Sequence, residues 1–218
     1  MKFLKIEGIP GPGAKIYSTV VAGSPITQDF YREVAGEIAS KVSSGRILDI
    51  GTGPGYIPIE VARASKNVEV KAIDISSAMV MIARQKAEDA GLSQRVQFEY
   101  GSAEDIPYGD GYFNLVVSTL SFHHWANRIE CLKEMHRVLK TDGEAWIYEL
   151  RKDTTPEAKQ QLKDRYGRFV SFIVLYSVRL HSAMSLQEFQ RIISLPQLSF
   201  SKMTIEDKGL ALKLRLVK

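Results

Sequence analysis

Short runs of branched apolar residues alternate along the first 150 positions with longer segments in which apolar residues recur at helical spacing. Runs of this kind are typical of strands in a parallel sheet that helices cover on both faces. The alternation therefore predicts a doubly wound, Rossmann-like α/β fold. The predicted strands are 46–50, 68–73, 95–100, 113–118 and 144–150, and the predicted helices are 15–22, 24–42, one starting near residue 55, 77–90 and 127–140.

The pattern changes after residue 151. A helix is predicted to start at Thr155-Pro156, and residues 169–178 are apolar nearly all round but too few to span a bilayer. We interpret residues 169–178 as part of a helical cap over an acceptor site. A buried helix or a dimer face explains the same apolar segment equally well.

The last residues predict one more helix and an antiparallel hairpin. Residues 185–188 form a capping box that starts a helix through about Ser194. Residues 200–205 and 210–217 lie on either side of Lys208-Gly209, as expected of two paired strands. The complete prediction is a seven-stranded, mostly parallel sheet that ends in this hairpin.

The first predicted strand runs into a turn that contains Gly51, Gly53 and Gly55. Glycines at alternate positions let the backbone turn sharply and approach a ligand, and they leave unpaired N–H groups at the N-terminus of the next helix. This pattern predicts a nucleotide or phosphate site. The dinucleotide fingerprint has a third small residue where this chain has Tyr56, which weakens an NAD interpretation.

Two carboxylates stand at the ends of the first two strands. Asp49 precedes the glycines, where it would repel a pyrophosphate but suits a ligand with an ammonium and a sulfonium, such as S-adenosylmethionine. Asp74 follows 25 positions later and can accept both hydroxyls of a ribose. The alternative for Asp74 is that it caps the following helix, although Ser76 or Ser77 is better placed for that.

Three segments carry a resemblance to a known family. Residues 48–55, with the sequence LDIGTGPG, resemble motif I of the class I S-adenosylmethionine-dependent methyltransferases. Residues 101–107 resemble the family's segment around the adenine, with Ser102 in place of the usual acid, and residues 134–144 resemble its late motif. The resemblance spans about residues 46–150. Within the family, the chain resembles the quinone-biosynthesis C-methyltransferases and their small-molecule relatives.

The resemblance implies a cofactor site at defined positions. Tyr17 lies in an N-terminal segment that covers the methionine end of the cofactor, Met79 contacts the adenine, and Ser102 accepts a single uncharged hydrogen bond. For Tyr17 and Met79, simple packing in the core is the alternative. The full set implied is Tyr17, Asp49, Gly51, Thr52, Gly53, Gly55, Asp74, Ile75, Met79, Ser102, Ala103 and Ser118.

His123 and His124 follow the fourth predicted strand, where ligands sit in doubly wound sheets. Methyl transfer requires positioning, exclusion of water and, for some acceptors, removal of a proton. Either histidine is therefore a candidate base. A histidine hydrogen-bonded to the backbone is the alternative.

Composition describes an ordinary globular chain. It has 218 residues, 44% hydrophobic and 25% charged, and one cysteine, Cys131, which excludes an intramolecular disulfide framework and a cysteine-rich metal site. No apolar run is long enough for a signal peptide or a membrane span, so we expect a cytoplasmic protein. We expect no metal site. We expect a monomer or a homodimer.

Charge is uneven along the chain. Residues 1–150 carry 16 Lys and Arg against 19 Asp and Glu, whereas residues 151–218 carry 13 against 6. A basic excess of this kind favours an anionic acceptor or a nucleic acid, although a solvated surface is its commoner meaning.

These observations predict a methyltransferase that uses S-adenosylmethionine, yields S-adenosylhomocysteine and acts on a small-molecule acceptor. The alternatives are an RNA methyltransferase that uses the basic C-terminal third and a noncatalytic S-adenosylmethionine-binding protein, with an NAD dehydrogenase a remote third. The predicted organisation is one domain, 1–218, with an N-terminal helical lid (1–45), a cofactor-binding core (46–150), a helical cap insertion (151–184) and a last helix with the hairpin (185–218).

Overall fold

A computed structural model describes residues 23–181 and 183–218. The strands are β1 (Gly45–Ile50), β2 (Val68–Asp74), β3 (Val96–Tyr100), β4 (Phe113–Thr119), β5 (Leu139–Arg151), β6 (Ala183–Met184), β7 (Lys202–Lys208) and β8 (Ala211–Val217). The helices are α1 (Pro25–Lys41), α2 (Tyr56–Ala64), α3 (Ser77–Asp89), α4 (Arg128–Val138), α5 (Pro156–Tyr166), α6 (Arg168–His181) and α7 (Leu186–Ile193), with a 3₁₀ turn at Phe122–His124. The predicted helix 15–22 and Tyr17 lie outside the described residues.

The sheet has the predicted doubly wound topology. Its strand order is β3-β2-β1-β4-β5-β8-β7, and the short β6 pairs with the end of β5. Strands β1 to β5 are parallel, whereas β8 pairs antiparallel with both β5 and β7. The seven-stranded, mostly parallel sheet and its C-terminal hairpin are therefore confirmed.

Helix starts follow the capping residues. The side chains of Ser24, Ser76 and Thr155 each accept a backbone N–H in the first turn of the helix that follows, and Ser185 and Glu188 form the complete capping box. Ser76, not Asp74, caps α3. Side-chain oxygens thus satisfy backbone donors that would otherwise have no partner.

Two apolar cores cover the faces of the sheet. One packs α1, α2 and α3 against it, and the other packs α4, α7 and the hairpin on the opposite face. Both faces of β8 are covered, and Lys213 is buried there. Its ammonium is paired with Glu37 of α1 and lies 3.3 Å from the ring centre of Trp146.

The boundary between α4 and β5 differs from the prediction. The helix ends at Val138 rather than at residue 140, and the strand starts at Leu139 rather than at residue 144. Phe113 pairs with Leu139 and Leu115 with Glu144, so the residues between them form a bulge. Residues 141–143, between the predicted helix and the predicted strand, therefore belong to β5. Among the described residues, no helix has both the length and the apolar character needed to cross a membrane.

Candidate functional site

A cleft opens at the carboxyl ends of β1 and β4, where the strand order reverses. In doubly wound sheets this switch point is where ligands bind, because the loops on either side diverge there. Both strands, the glycine turn, and helices α1 and α2 contribute to it. The cleft is lined by Tyr31, Asp49, Gly51, Thr52, Gly53, Pro54, Tyr56, Ile57, Thr119 and Leu120.

The three glycines of the turn adopt φ angles of +69°, +53° and +80°, which L side chains rarely adopt. A Cβ on Gly51 would overlap the Ser121 hydroxyl, and one on Gly55 would lie 2.8 Å from side-chain atoms of Ala83 and Phe98. A Cβ on Gly53 would meet no atom within 4 Å. Gly51 and Gly55 are therefore packing requirements, whereas Gly53 leaves space beside the cleft. The expected unpaired N–H groups are not found at these glycines, because they donate to the Ile73 carbonyl, Asp74 Oδ2 and the Thr52 carbonyl.

Asp74 holds the turn from the second strand. The backbone N–H of Gly53 donates to its Oδ2 at 2.7 Å, and the N–H of Ser76 donates to its Oδ1 at 2.8 Å. Burial raises the pKa of the Asp74 carboxyl, and these two hydrogen bonds partly offset the effect. The Asp74 carboxylate contacts Gly53, which lines the cleft. Each of its oxygens retains a lone pair that can accept a further hydrogen bond.

Asp49 lies in the cleft wall at the end of β1. Its side chain is buried and its Oδ1 has no hydrogen-bond partner among the described residues. Burial raises the pKa of the Asp49 carboxyl to about 7, while the Thr52 side chain lowers it and the charge of Asp74 raises it further. A cationic ligand group would satisfy this carboxylate and favour its ionised form.

Other buried hydroxyls in this region also lack partners. Thr119 Oγ1 belongs to a residue that lines the cleft, and Ser118 Oγ lies beside it on β4. Buried polar groups are normally paired, so a cluster of unpaired ones marks a place where a ligand supplies the hydrogen bonds. Together with Asp49 and the open face of Gly53, these groups fit a polar, positively charged nucleoside.

The predicted adenine end of the site lies along the start of α3 and the loop after β3. Met79 is buried, and Ile75 and Ala103 are half-buried. Ser102 is half-buried as well, and its Oγ accepts the backbone N–H of Glu104 at 3.2 Å. The Ser102 hydroxyl therefore stabilises its own loop in addition to any contact with a ligand.

His123 is paired with Glu149, a carboxylate that was not among the predicted site residues. Its Nδ1 lies 2.8 Å from Oε2 of Glu149, and its backbone N–H donates to Oε1 at 3.1 Å. Glu149 is fully buried on β5, and the buried Nε2 of His123 has no partner among the described residues. A charged residue inside the apolar run 144–150 was the available signal for Glu149.

The loop that carries both histidines is held by several contacts. Arg128 donates from Nε to the Phe122 carbonyl at 3.2 Å and from Nη2 to the His123 carbonyl at 3.0 Å. The centres of the His123 and His124 rings are 3.9 Å apart. Leu120, at the base of the loop, has a φ of +56°, a strained conformation of the kind that clusters at functional sites.

Comparison with known proteins gives a consistent answer. The family model described as "Methyltransferase domain" matches residues 47–143. The ubiquinone/menaquinone biosynthesis C-methyltransferase UbiE of Citrifermentans bemidjiense is 35% identical over 117 residues, which are 53% of this chain and 50% of that protein. The demethylmenaquinone methyltransferase of Deinococcus radiodurans is 35% identical over 119 residues, 55% of this chain and 48% of that protein.

Solved structures share the fold. A Methanococcus maripaludis protein provisionally named an S-adenosylmethionine-dependent methyltransferase has a TM-score of 0.76 at 24% identity, covering 95% of this chain and 93% of its own. A SAM-dependent methyltransferase from Aquifex aeolicus has a TM-score of 0.63 at 17% identity, covering 96% and 99%. The chain spans about half the length of the curated relatives it matches. Residues 47–143 thus match the methyltransferase domain model, and the chain has the same fold as solved structures named as S-adenosylmethionine-dependent methyltransferases.

Proposed function

We propose that this chain transfers a methyl group from S-adenosylmethionine to a small, largely apolar acceptor. The observation that carries the proposal is the buried carboxyl of Asp49, whose Oδ1 has no partner among the described residues, beside the glycine turn at the switch point of the sheet. A cleft built in this way attracts a cation and offers hydroxyls to a nucleoside. A pyrophosphate would meet a negative charge there instead.

The cofactor residues of the proposal are those of the resemblance. Asp49 would hold the ammonium, Asp74 the ribose hydroxyls, and the backbone around Gly51 and Gly53 would pass close to the ligand. Ile75, Met79, Ser102 and Ala103 would border the adenine, while Thr52 and Ser118 would supply hydroxyls. Tyr17 and Gly55 complete the proposed set, the first by covering the ligand and the second by fixing the turn.

S-adenosylmethionine, when bound, supplies a methyl group activated by a sulfonium sulfur. The protein's own contribution is to orient the acceptor, exclude water and accept a proton where the acceptor must lose one. His123 is the proposed base, since Glu149 orients its ring and leaves Nε2 unpaired. His124 beside it is the second candidate for that role.

The acceptor class rests on the relatives. Those that share 35% identity over about half their length are named for ubiquinone and menaquinone methylation. The apolar residues 169–178 add no support, because Phe169, Phe172 and Tyr176 are exposed. Under this proposal residues 1–45 form the lid, 46–150 the cofactor core, 151–184 the cap and 185–218 the closing helix and hairpin.

Turnover tests the proposal directly. The purified chain is incubated with S-adenosylmethionine and a short-chain demethylated quinol, and release of S-adenosylhomocysteine is followed against a reaction without acceptor. Acceptor-dependent release, reduced in His123→Ala, supports the proposal. Cofactor binding without turnover on any acceptor would favour a noncatalytic binding protein. Methylation of RNA with a steep loss of affinity in salt would favour the nucleic-acid alternative.

A further inference from the structure

Helix α6 directs its aromatic side chains outward. Phe169, Phe172, Ile173 and Tyr176 occupy positions i, i+3, i+4 and i+7, which form one stripe on a helix. Their exposed fractions are 76%, 67%, 47% and 58%. This apolar stripe, which we call the α6 stripe, is therefore a surface feature rather than a part of either core.

The side of α6 that faces the protein contains Ser171, Val174 and Leu175. Ser171 is fully buried, and its hydroxyl donates to the Gly167 carbonyl at 2.6 Å, while Val174 and Leu175 are half-buried. The exposed stripe is therefore additional to the apolar residues that a surface helix normally directs inward. Single exposed apolar residues need no explanation, but a contiguous stripe of four marks a binding surface.

The charges around the stripe indicate what it binds. Residues 165–187 contain no Asp or Glu, and their charged residues are Arg165, Arg168 and Arg179. Arg168 is exposed next to Phe169, and Arg165 is 61% exposed although it pairs with Asp29. A partner must therefore present apolar area and negative charge together.

Two other occupants do not complement this surface. A second copy would bring an identical, acid-free segment with its own arginines against the first. Residues 1–22 carry three lysines against one glutamate, so they have the same sign of charge. Like charges opposed across an interface oppose its formation.

We propose that the α6 stripe docks this protein on the surface of an anionic phospholipid bilayer. A helix with aromatic residues on one face and basic residues beside them lies in the plane of the interface, with its apolar face among the upper acyl chains and its arginines on the headgroups. Binding of this kind is reversible and does not require a membrane-spanning segment. The docking surface is independent of the methyl acceptor, which the proposed function addresses.

Vesicle flotation with the full chain tests the proposal. At low salt the protein should float with vesicles of phosphatidylglycerol and phosphatidylcholine, and remain unbound with phosphatidylcholine alone. Phe169→Ser combined with Phe172→Ser should lower partitioning by about tenfold or more, because two buried aromatic side chains are lost. Arg168→Gln should lower it about fivefold.

The matched control changes two exposed apolar residues elsewhere. Met81 and Tyr100 are 69% and 66% exposed on α3 and β3, and Met81→Ser with Tyr100→Ser should leave partitioning unchanged. Circular dichroism and the melting temperature establish that each variant is folded. Failure of the unaltered chain to bind anionic vesicles overturns the proposal, as does an equal loss in the control. The proposal is also overturned if the chain does not bind vesicles but forms a dimer that only the Phe169 and Phe172 substitutions dissociate. The proposed function is tested separately with a water-soluble acceptor and no vesicles, so that either proposal can fail without the other.

Discussion

His123 and Glu149 form a buried pair across the loop after β4 and the end of β5, with 2.8 Å between Nδ1 and Oε2. The same carboxylate accepts the backbone N–H of His123, so it fixes both the ring and the main chain. A carboxylate accepts hydrogen bonds, and we therefore assign the hydrogen to Nδ1. In the neutral ring this leaves a lone pair on Nε2, which is the state that a base requires.

Removal of this base should act on turnover and leave cofactor binding intact. We expect His123→Ala to lower kcat by about 10²–10⁴-fold for an acceptor that loses a proton. Glu149→Gln should lower kcat by a smaller factor, since the ring remains in place but loses its charged partner. His124→Ala is the matched control and should change kcat little. Equal losses in His123→Ala and His124→Ala would contradict the assignment.

The buried carboxyl of Asp49 should make the ligand-free protein less stable as pH rises. Its pKa is about 7 in the folded chain against an ordinary 3.8, so the unfolded chain releases this proton first. Between pH 4 and 7 the free energy of unfolding should therefore fall by about 3 kcal/mol from this group alone. Urea unfolding of Asp49→Asn should show a smaller fall over the same range. An unchanged pH dependence would contradict the assigned burial.

The same carboxyl should make cofactor affinity depend on pH. A cationic group binds the ionised form, so the proton must leave Asp49 when the ligand binds. Below pH 7 the Kd for S-adenosylhomocysteine should rise by about tenfold per pH unit, and above pH 7 it should be constant. Titration calorimetry between pH 5 and 8 measures this. In Asp49→Asn the affinity should be lower and the Kd should not change with pH. If the Kd of the variant changed with pH as steeply as that of the unaltered chain, another group would be responsible.

The glycines of the turn should differ in their tolerance of a side chain. Gly53→Ala costs about 1 kcal/mol of strain, because its φ is positive but the added Cβ meets no atom. Gly51→Ala should cost about 1–3 kcal/mol more, since it also displaces the Ser121 hydroxyl that accepts from Trp125 Nε1. Combining Gly51→Ala with Ser121→Gly should recover part of that difference. Equal costs in thermal unfolding would contradict the packing described for the turn.

The sheet, the glycine turn and the places of Asp49 and Asp74 at the strand ends were predictable from local pattern. Apolar runs, the glycine turn and the capping serines each act over a few residues, and the structure contains them where the sequence indicates. Asp49 and Asp74 were predictable for the same reason, because each follows directly from a strand. Their positions at one edge of the sheet are a consequence of parallel pairing.

The features that were missed depend on contacts between distant segments. Glu149 meets His123 from 26 positions away, and nothing in the apolar run around it reveals that partner. Lys213 is buried because Glu37 of α1 and the Trp146 ring compensate its charge. The outward direction of the α6 stripe likewise depends on how the whole helix packs, which hydrophobicity alone does not determine.

The selection of a sulfur nucleoside by Asp49 and Asp74 is the central claim, and ligand-induced stabilisation tests it most directly. S-adenosylhomocysteine at one hundred times its Kd should raise the free energy of unfolding by about 2.7 kcal/mol, while NAD at the same concentration should add nothing. In Asp74→Ala, which removes the acceptor of the Gly53 and Ser76 N–H groups, most of that stabilisation should disappear at the same ligand concentration. A larger stabilisation by NAD, or an undiminished response in Asp74→Ala, would contradict the claim.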